Sequence, residues 1–404
     1  MSHPPARPPL PVLLVFSHLR WGFVYQRPQH LLSRLAGRWR VLFVEEPIPS
    51  DGEPRLDCQE VSPELTVLTP RSPVAAPGFH DDQISVTAGL LGEYLAEHQL
   101  RVDIAWLYTP MALPLAHAVG VGRLAYDCMD ELSAFKGAPL QLRQRESALM
   151  QQAALVLTGG PSLYEARRHL HPNIHCFRSA VDAAHFSPAG LDLLGDTGRK
   201  ARELQDGLAH PRLGFFGVID ERMDLGLIQA LADGRPDWSL VMVGPIVKID
   251  PASVPRRPNI LWLGMQSYEL LPYLMLGWDL ALMPFALNES TRFISPTKTL
   301  EYMAGGLPVV STPIQDVASL YRPTVAIAHG GEEFVQACEE MLAEGATARR
   351  ARQVQMAAFV ARNSWDRTAD AIHRLLEATL TEAPRWQTRD PVNHPHDLPL
   401  AARA

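Results

Sequence analysis

Two stretches of this sequence concentrate side chains able to hold an anion or move a proton. The first reads Ser295-Pro296-Thr297-Lys298-Thr299-Leu300-Glu301-Tyr302-Met303-Ala304-Gly305-Gly306-Leu307-Pro308. Ser295 and Pro296 are the residue types that cap and open a helix. The spare amides of a helix start are a natural site for a diphosphate. Lys298 falls in the first turn and adds a full positive charge. Lysine is scarce, at Lys136, Lys200, Lys248 and Lys298 alone, so one inside such a motif carries weight. Glu301 lies on a neighbouring face of the same helix and can accept hydrogen bonds from a ribose diol. The pair Gly305-Gly306 then stops the helix and turns it into an apolar strand. A plain capped helix with a surface Lys–Glu pair fits these residues equally well, and physics alone leaves both readings open.

The second stretch is Phe16-Ser17-His18-Leu19-Arg20-Trp21-Gly22-Phe23-Val24-Tyr25-Gln26-Arg27-Pro28-Gln29-His30. It follows the first apolar run, so it leaves the carboxyl end of a strand. A loop this rich in Arg and aromatic residues exceeds what a connection needs. His18, Arg20, Trp21, Arg27 and His30 are expected to line a cleft, touching phosphates or a second substrate. An Arg/aromatic packing cluster between domains is the alternative. After another strand comes Tyr126-Asp127-Cys128-Met129-Asp130-Glu131. Asp127 or Asp130 could take a proton from an attacking hydroxyl, and partial burial would raise its pKa toward that role. Helix capping by Asp130 is the alternative. His169, His171 and His175 suit a loop better than a metal site, and no metal is expected.

These residues need rigid supports, and the apolar runs supply them. Val12 to Phe16, Val41 to Val44, Leu65 to Leu68, Ile104 to Tyr108, Leu124 to Tyr126 and Ala154 to Leu157 read as strands. Helical patterns at Gln29 to Leu35, Ile84 to His98 and Leu140 to Ala153 separate some of them. Strands apolar throughout imply a parallel sheet covered on both faces. From Ser187 to Arg212 the composition shifts, as expected of a linker with a short helix. The pattern then restarts, with strands at Leu213 to Gly217, Leu240 to Val243, Ile260 to Leu263, Leu280 to Met283, Val309 to Ser311 and Val325 to Ala328. Ala348 to Leu380 reads as helical. Two doubly wound sheets in series predict a cleft at their strands' carboxyl ends.

The bulk numbers agree with an ordinary α/β protein. The 404 residues suit two domains. A net charge of -7 gives no sign of an electrostatic nucleic-acid binder. Cys58, Cys128, Cys176 and Cys338 show no CxxC spacing and read as reduced thiols of a cytoplasmic protein. The opening MSHPPARPPL lacks the apolar core of a secretory signal. No run is long enough to span a bilayer, so membrane contact would be peripheral.

The run from Pro296 to Val310 resembles the donor-binding signature of the glycosyltransferase group 1 family and its family 4 relatives. Ser179-Ala180-Val181-Asp182-Ala183-Ala184-His185-Phe186 resembles the element closing that family's first domain. Gly214-Phe215-Phe216-Gly217 resembles the first strand and glycine turn of its donor domain, and Asn259 to Gly264 the strand leading to the base-binding loop. Ser364-Trp365 resembles the start of its closing helix. The opening loop is similar to that of bacterial cell-surface polysaccharide transferases of the teichuronic-acid type.

The resemblance implies a GT-B fold, two Rossmann-like domains facing a central cleft. It implies residues 1–190 as the acceptor-side domain, 191–211 as linker and 212–363 as the donor domain. Residues 364–382 would cross back and 383–404 would form a disordered tail. It implies a nucleotide-diphosphate sugar, commonly a UDP-sugar, as donor. The acceptor would be a saccharide or lipid-linked, at the inner membrane face, where Arg143 and Arg145 of the Leu140 to Ala153 helix could touch lipid. No cofactor is implied. Gly217, Arg222, Ser295, Pro296, Thr297, Lys298 and Glu301 would hold the donor. The sequence departs from the family twice. Phe293 stands where a second glutamate is usual, and Arg222 alone answers for the usual Arg and Lys after the glycine turn. An aspartate base suits inversion, whereas family 4 implies retention, and both outcomes stay open.

Overall fold

A computed structural model describes residues 9–381 of the chain. Most of the opening stretch and the expected tail at 383–404 lie outside the described residues. The first sheet has nine strands: β1 Val12–Ser17, β2 Arg40–Glu45, β3 Ile48–Pro49, β4 Arg55–Ser62, β5 Leu65–Ser72, β6 Val102–Leu107, β7 Leu124–Cys128, β8 Leu155–Thr158 and β9 Ile174–Cys176. Their order is β3-β5-β2-β1-β6-β7-β8-β9, with β4 antiparallel on β5 and the other pairings parallel. Alternate residues of β1 feed two different cores. Leu14 and Phe16 pack toward α2 Ile84–Glu97, α3 Leu113–Ala118, α4 Leu142–Gln152 and α5 Pro161–Arg167. Leu13 and Val15 pack toward α1 Arg27–Leu35 and the last helix of the chain. That two-sided burial is why β1 is apolar at every core position.

The connection carries two short helices, α6 Ala183–Phe186 and α7 Asp196–Glu203. The second sheet contains β10 Arg212–Phe216, β11 Ser239–Val243, β12 Ile260–Gly264, β13 Leu280–Met283, β14 Val309–Ser311 and β15 Val325–Ile327. All are parallel, in the order β12-β11-β10-β13-β14-β15. Its helices are α8 Leu225–Gly234, α9 Leu271–Met275, α10 Lys298–Ala304, α11 Gln315–Tyr321, α12 Gly331–Leu342 and α13 Ala346–Arg362. The last helix, α14 Trp365–Thr381, returns to the first domain, where Trp365, Ala369, Ile372 and Leu376 are buried. Arg34 ties it down by pairing with Asp366, and the Trp39 indole donates to His373 Nδ1.

In both sheets the order of successive strands reverses beside a central strand, between β1 and β6 and between β10 and β13. Such switch points open crevices at the strands' carboxyl ends. The helical stretch read at Ala348 to Leu380 is two helices, with α14 starting at Trp365, where the closing helix was expected. At the break, Asn363 O accepts from Val181 N and Asn363 Oδ1 accepts from Arg178 Nε, so the chain stops to join the hinge. Strand β4 was not expected, because RLDCQEVS lies at an edge, mostly exposed, without an apolar run.

Candidate active site

The loops after β1, β10, β11 and β12 enclose a cavity of about 460 Å³ between the two domains. One wall is the first-domain segment from Trp21 to Gln26. The other is built from Gly217, Arg222, Gly244, Gln266 and their neighbours, with Thr297, Lys298 and Glu301 from the start of α10. A smaller cavity of about 110 Å³ adjoins it, sharing Gln26, Val218, Arg222, Thr297 and Lys298. Arg27, Asp130 and Ser295 line that second space.

The glycine turns explain how Lys298 reaches the junction. Gly217 has φ +135° and Gly244 φ +143°, conformations side chains rarely adopt. A Cβ on Gly217 would overlap the Lys298 side chain, with Nζ 2.6 Å away, and one on Gly244 would overlap the Gly217 carbonyl. The lysine therefore crosses bare backbone, its Nζ 5.6 Å from the centre of the Phe215 ring. Helix α10 starts later than its sequence suggests. Thr297, not Ser295, is the capping residue, and its side chain makes no capping bond. Ser295 and Pro296 form the approach to the helix; the Ser295 carbonyl accepts from the Ser179 hydroxyl across the domain boundary.

Burial dominates the electrostatics. It lowers the pKa of Lys298, opposed by Glu301, with Arg222 pushing the same way as burial. It raises that of Glu301, opposed by Lys298 and by a Thr297 hydrogen bond. Arg222 pairs with Asp220 at 2.7 Å, and its guanidinium lies 5.4 Å from the ring of Phe135 in the first domain. Lys248 Nζ approaches the same ring at 4.9 Å. Arg222 and Lys298 thus converge on both cavities, an arrangement suited to an oligophosphate.

The two candidate aspartates separate. Asp130 lies past the end of β7, in the smaller cavity. Burial raises its pKa, while Arg222 and Arg27 oppose. Asp127 does not reach either cavity, contrary to the expectation that both acids leave the strand into the cleft. It is still within β7, fully buried, and points toward α1. There it accepts from Arg27 Nε at 2.9 Å and Arg27 Nη2 at 3.0 Å. That ion pair leaves it no access to a substrate hydroxyl.

The loop residues separate likewise. Trp21 is on the cavity wall and Arg27 on the wall of the smaller space. Arg20 is turned away, donating to Glu45 Oε2 at 3.0 Å and Glu46 O at 2.6 Å, which braces the loop. His18 and His30 line neither cavity. Burial, aided by Lys248, lowers His18 to about 4. His30 is 1% exposed and stacks on Trp365 at 4.8 Å. Sequence reasoning passed over Tyr25 and Tyr268, which stack at 4.5 Å and both line the larger cavity. His185 also stacks on Tyr268, at 4.0 Å. Tyr268 follows the end of β12, the same signal that marked the Arg27 loop. Phe293 packs against the first domain's core, so the usual carboxylate position is given to an interdomain contact.

Among the described residues no group of three His, Cys, Asp or Glu is placed to hold a metal. His171 and His175 make local hydrogen bonds, to Ala153 O and Asn173 Oδ1. No helix among the described residues is long and apolar enough to cross a membrane. In α4, Leu142, Leu149 and Met150 face the core and Arg145 pairs with Asp81, so that helix's apolar residues are not a lipid-facing stripe.

Residues 210–344 match the family model described as Glycosyl transferases group 1. A Bacillus subtilis (strain 168) protein, TuaH, named as a candidate teichuronic acid biosynthesis glycosyltransferase, is 26% identical over 250 residues, 59% of this chain. The matched part spans 63% of that relative's length. Among solved structures, sucrose-phosphate synthase from Thermosynechococcus elongatus superposes with a TM-score of 0.69 at 14% identity, covering 92% of this chain and 99% of the other. An E. coli trehalose-6-phosphate protein bound to UDP-2-fluoro glucose superposes at 0.64 and 12% identity, covering 92% and 100%. At such identities the likeness establishes the GT-B fold.

Proposed function

We propose that this chain, which carries a group 1 glycosyltransferase domain at residues 210–344, moves a sugar from a nucleotide-diphosphate sugar to a saccharide or lipid-linked acceptor. The observation that carries the reading is the convergence of Lys298, Arg222 and Glu301 on one interdomain cavity. Its volume suits a small ligand held on most sides. Glu301 receives hydrogen bonds from the ribose, and Lys298 with Arg222 meets the diphosphate. Those cations act most strongly as the diphosphate departs, because its charge grows in the transition state. The sugar's anomeric C–O bond to phosphate breaks, and a new one forms to the acceptor oxygen. Asp130, facing the adjoining space, is positioned to take the hydroxyl proton in a direct displacement. Under retention that proton would go to the departing phosphate and Asp130 would orient the acceptor.

A UDP-sugar is the favoured donor, supported by the solved structure that holds UDP-2-fluoro glucose. A product in surface polysaccharide synthesis is supported by the relative named for teichuronic acid. A lipid-linked acceptor would bring the enzyme to the inner membrane face, and Leu140, 96% exposed just before α4, and the exposed Arg143 in its first turn support that contact. The chemistry as written calls on no cofactor or metal. Phe293, in place of a carboxylate, favours a second reading, a degenerate GT-B partner protein without turnover. An epimerase would convert a nucleotide sugar without any acceptor.

The test is nucleoside-diphosphate release from a panel of nucleotide sugars, with and without saccharide and lipid-linked acceptors. Transfer is expected, with Asp130→Asn slower by about 10²–10⁴-fold at unchanged nucleotide affinity, the ordinary worth of an acid–base group. Isomerised donor without acceptor would point to the epimerase, and no turnover with intact nucleotide binding to the partner protein.

A further inference from the structure

The start of α5, in the first domain, is capped from the second. Asp316 at the start of α11 accepts from Ser162 N through Oδ1 at 3.1 Å. Its other oxygen, Oδ2, is buried without a hydrogen-bond partner and lies near the Ser295 side chain. Between them sits Gly160. Its φ of -166° is ordinary extended backbone, so glycine is not needed there for conformation. It is needed for space. A Cβ at Gly160 would overlap Asp316 Oδ2 and lie 2.7 Å from Ser295 Cβ. These nearest atoms all belong to the opposite domain.

The same surface holds two more crossings. The Ser179 hydroxyl donates to Ser295 O, and Phe293 packs on the first domain's core. Residues 293–295 lead straight into Thr297 and Lys298, the segment that lines the cavity. The approach to α10 is thus supported by first-domain atoms at Phe293 and at both ends of Ser295.

We infer that Gly160, Ser162 and Asp316 form an interdomain latch that positions the Ser295–Lys298 segment, so that the phosphate-binding end of the cavity is complete only when the domains are apposed. Resting on the donor reading above, this makes Gly160 and Asp316 positioning residues that touch no substrate. Ligand binding and domain apposition then strengthen each other by the same factor, as linkage requires.

The test combines small-angle scattering with UDP calorimetry on the full chain and on Gly160→Ala, Asp316→Ala and Asp316→Asn. Gly160→Ala is expected to enlarge the radius of gyration, with and without UDP, and to weaken UDP by about tenfold, within the usual range of couplings. Its melting temperature should stay close to wild type, since the nearest clashing atoms lie across the cleft. Asp316→Ala should weaken UDP similarly, and Asp316→Asn, which keeps the Oδ1 acceptor, should restore it. Wild-type dimensions and UDP affinity in both Gly160→Ala and Asp316→Ala would overturn the latch. If wild type binds UDP and no other nucleoside diphosphate is tighter, the affinity arm decides the coupling. If wild type binds none, the donor reading falls, and unchanged dimensions in Gly160→Ala would remove the latch as well.

Discussion

Asp127 and Asp130 stand three positions apart and occupy different environments. Asp127 is locked to Arg27 beneath the cleft floor, whereas Asp130 lies among Arg222, Arg27 and Lys298 in the adjoining cavity. Removing one partner of a buried pair strands the other charge, at a cost of about 3–5 kcal/mol. Asp127→Ala is therefore expected to lower unfolding stability by roughly that amount, read as a shift in urea midpoint, and a change under 1 kcal/mol would speak against the pair's structural role. The acids' different fates were not legible in the sequence, because strand β7 runs through Cys128 and its end could not be fixed to one residue. Lys298 and Glu301 were legible, because a helix fixes the relation between positions three apart. Tyr268 was not, since its importance comes from Tyr25, far away in the chain.

At the scale of elements, the glycine turn after β10 and the first turn of α10 are one device. Gly217→Ala should displace Lys298, since the added methyl would occupy the lysine's path. Nucleotide affinity is expected to fall by more than about tenfold, with both sheets intact by circular dichroism, given the strain of a side chain at this φ. Wild-type affinity would show that Lys298 does not need that path. The start of α1 makes a pH prediction. Burial holds His30 at about 3, with Arg34 and His185 lowering it further and Asp182 opposing. The unfolded chain then binds more protons below the ordinary histidine value of about 6.5. Stability should decline as pH falls from there toward the folded value. His18 titrates in the same direction. Replacing His30 by Phe, which keeps a stacking ring beside Trp365, should reduce the slope of melting temperature against pH between about 6.5 and 4.5. An unchanged slope would mean that His30 is not the group responsible. Strands buried on both faces were legible as apolar runs. The edge strand β4 and the short β9 were not, because neither needs an apolar run to hold its place.

At the scale of the molecule, the sequence's two serial parallel patterns implied facing sheets, and the structure supplies the cleft between them. The first domain is not contiguous: α14 completes its core from the far end of the sequence. The interdomain packing of Phe293, Ser295 and Asp316 was illegible beforehand, since nothing in a local pattern marks which residues meet across a cleft. The reading of this cleft as a nucleoside-diphosphate site with Glu301 on the ribose rests on the residues that line it. Its most direct test is calorimetric titration of UDP, GDP, ADP and dTDP into wild type and Glu301→Ala. Tight binding of one nucleotide is expected, with a loss of about 1.5–3 kcal/mol in the variant, the worth of a charge-assisted hydrogen bond. No binding of any of the four by well-folded protein, or equal binding by both proteins, would contradict it.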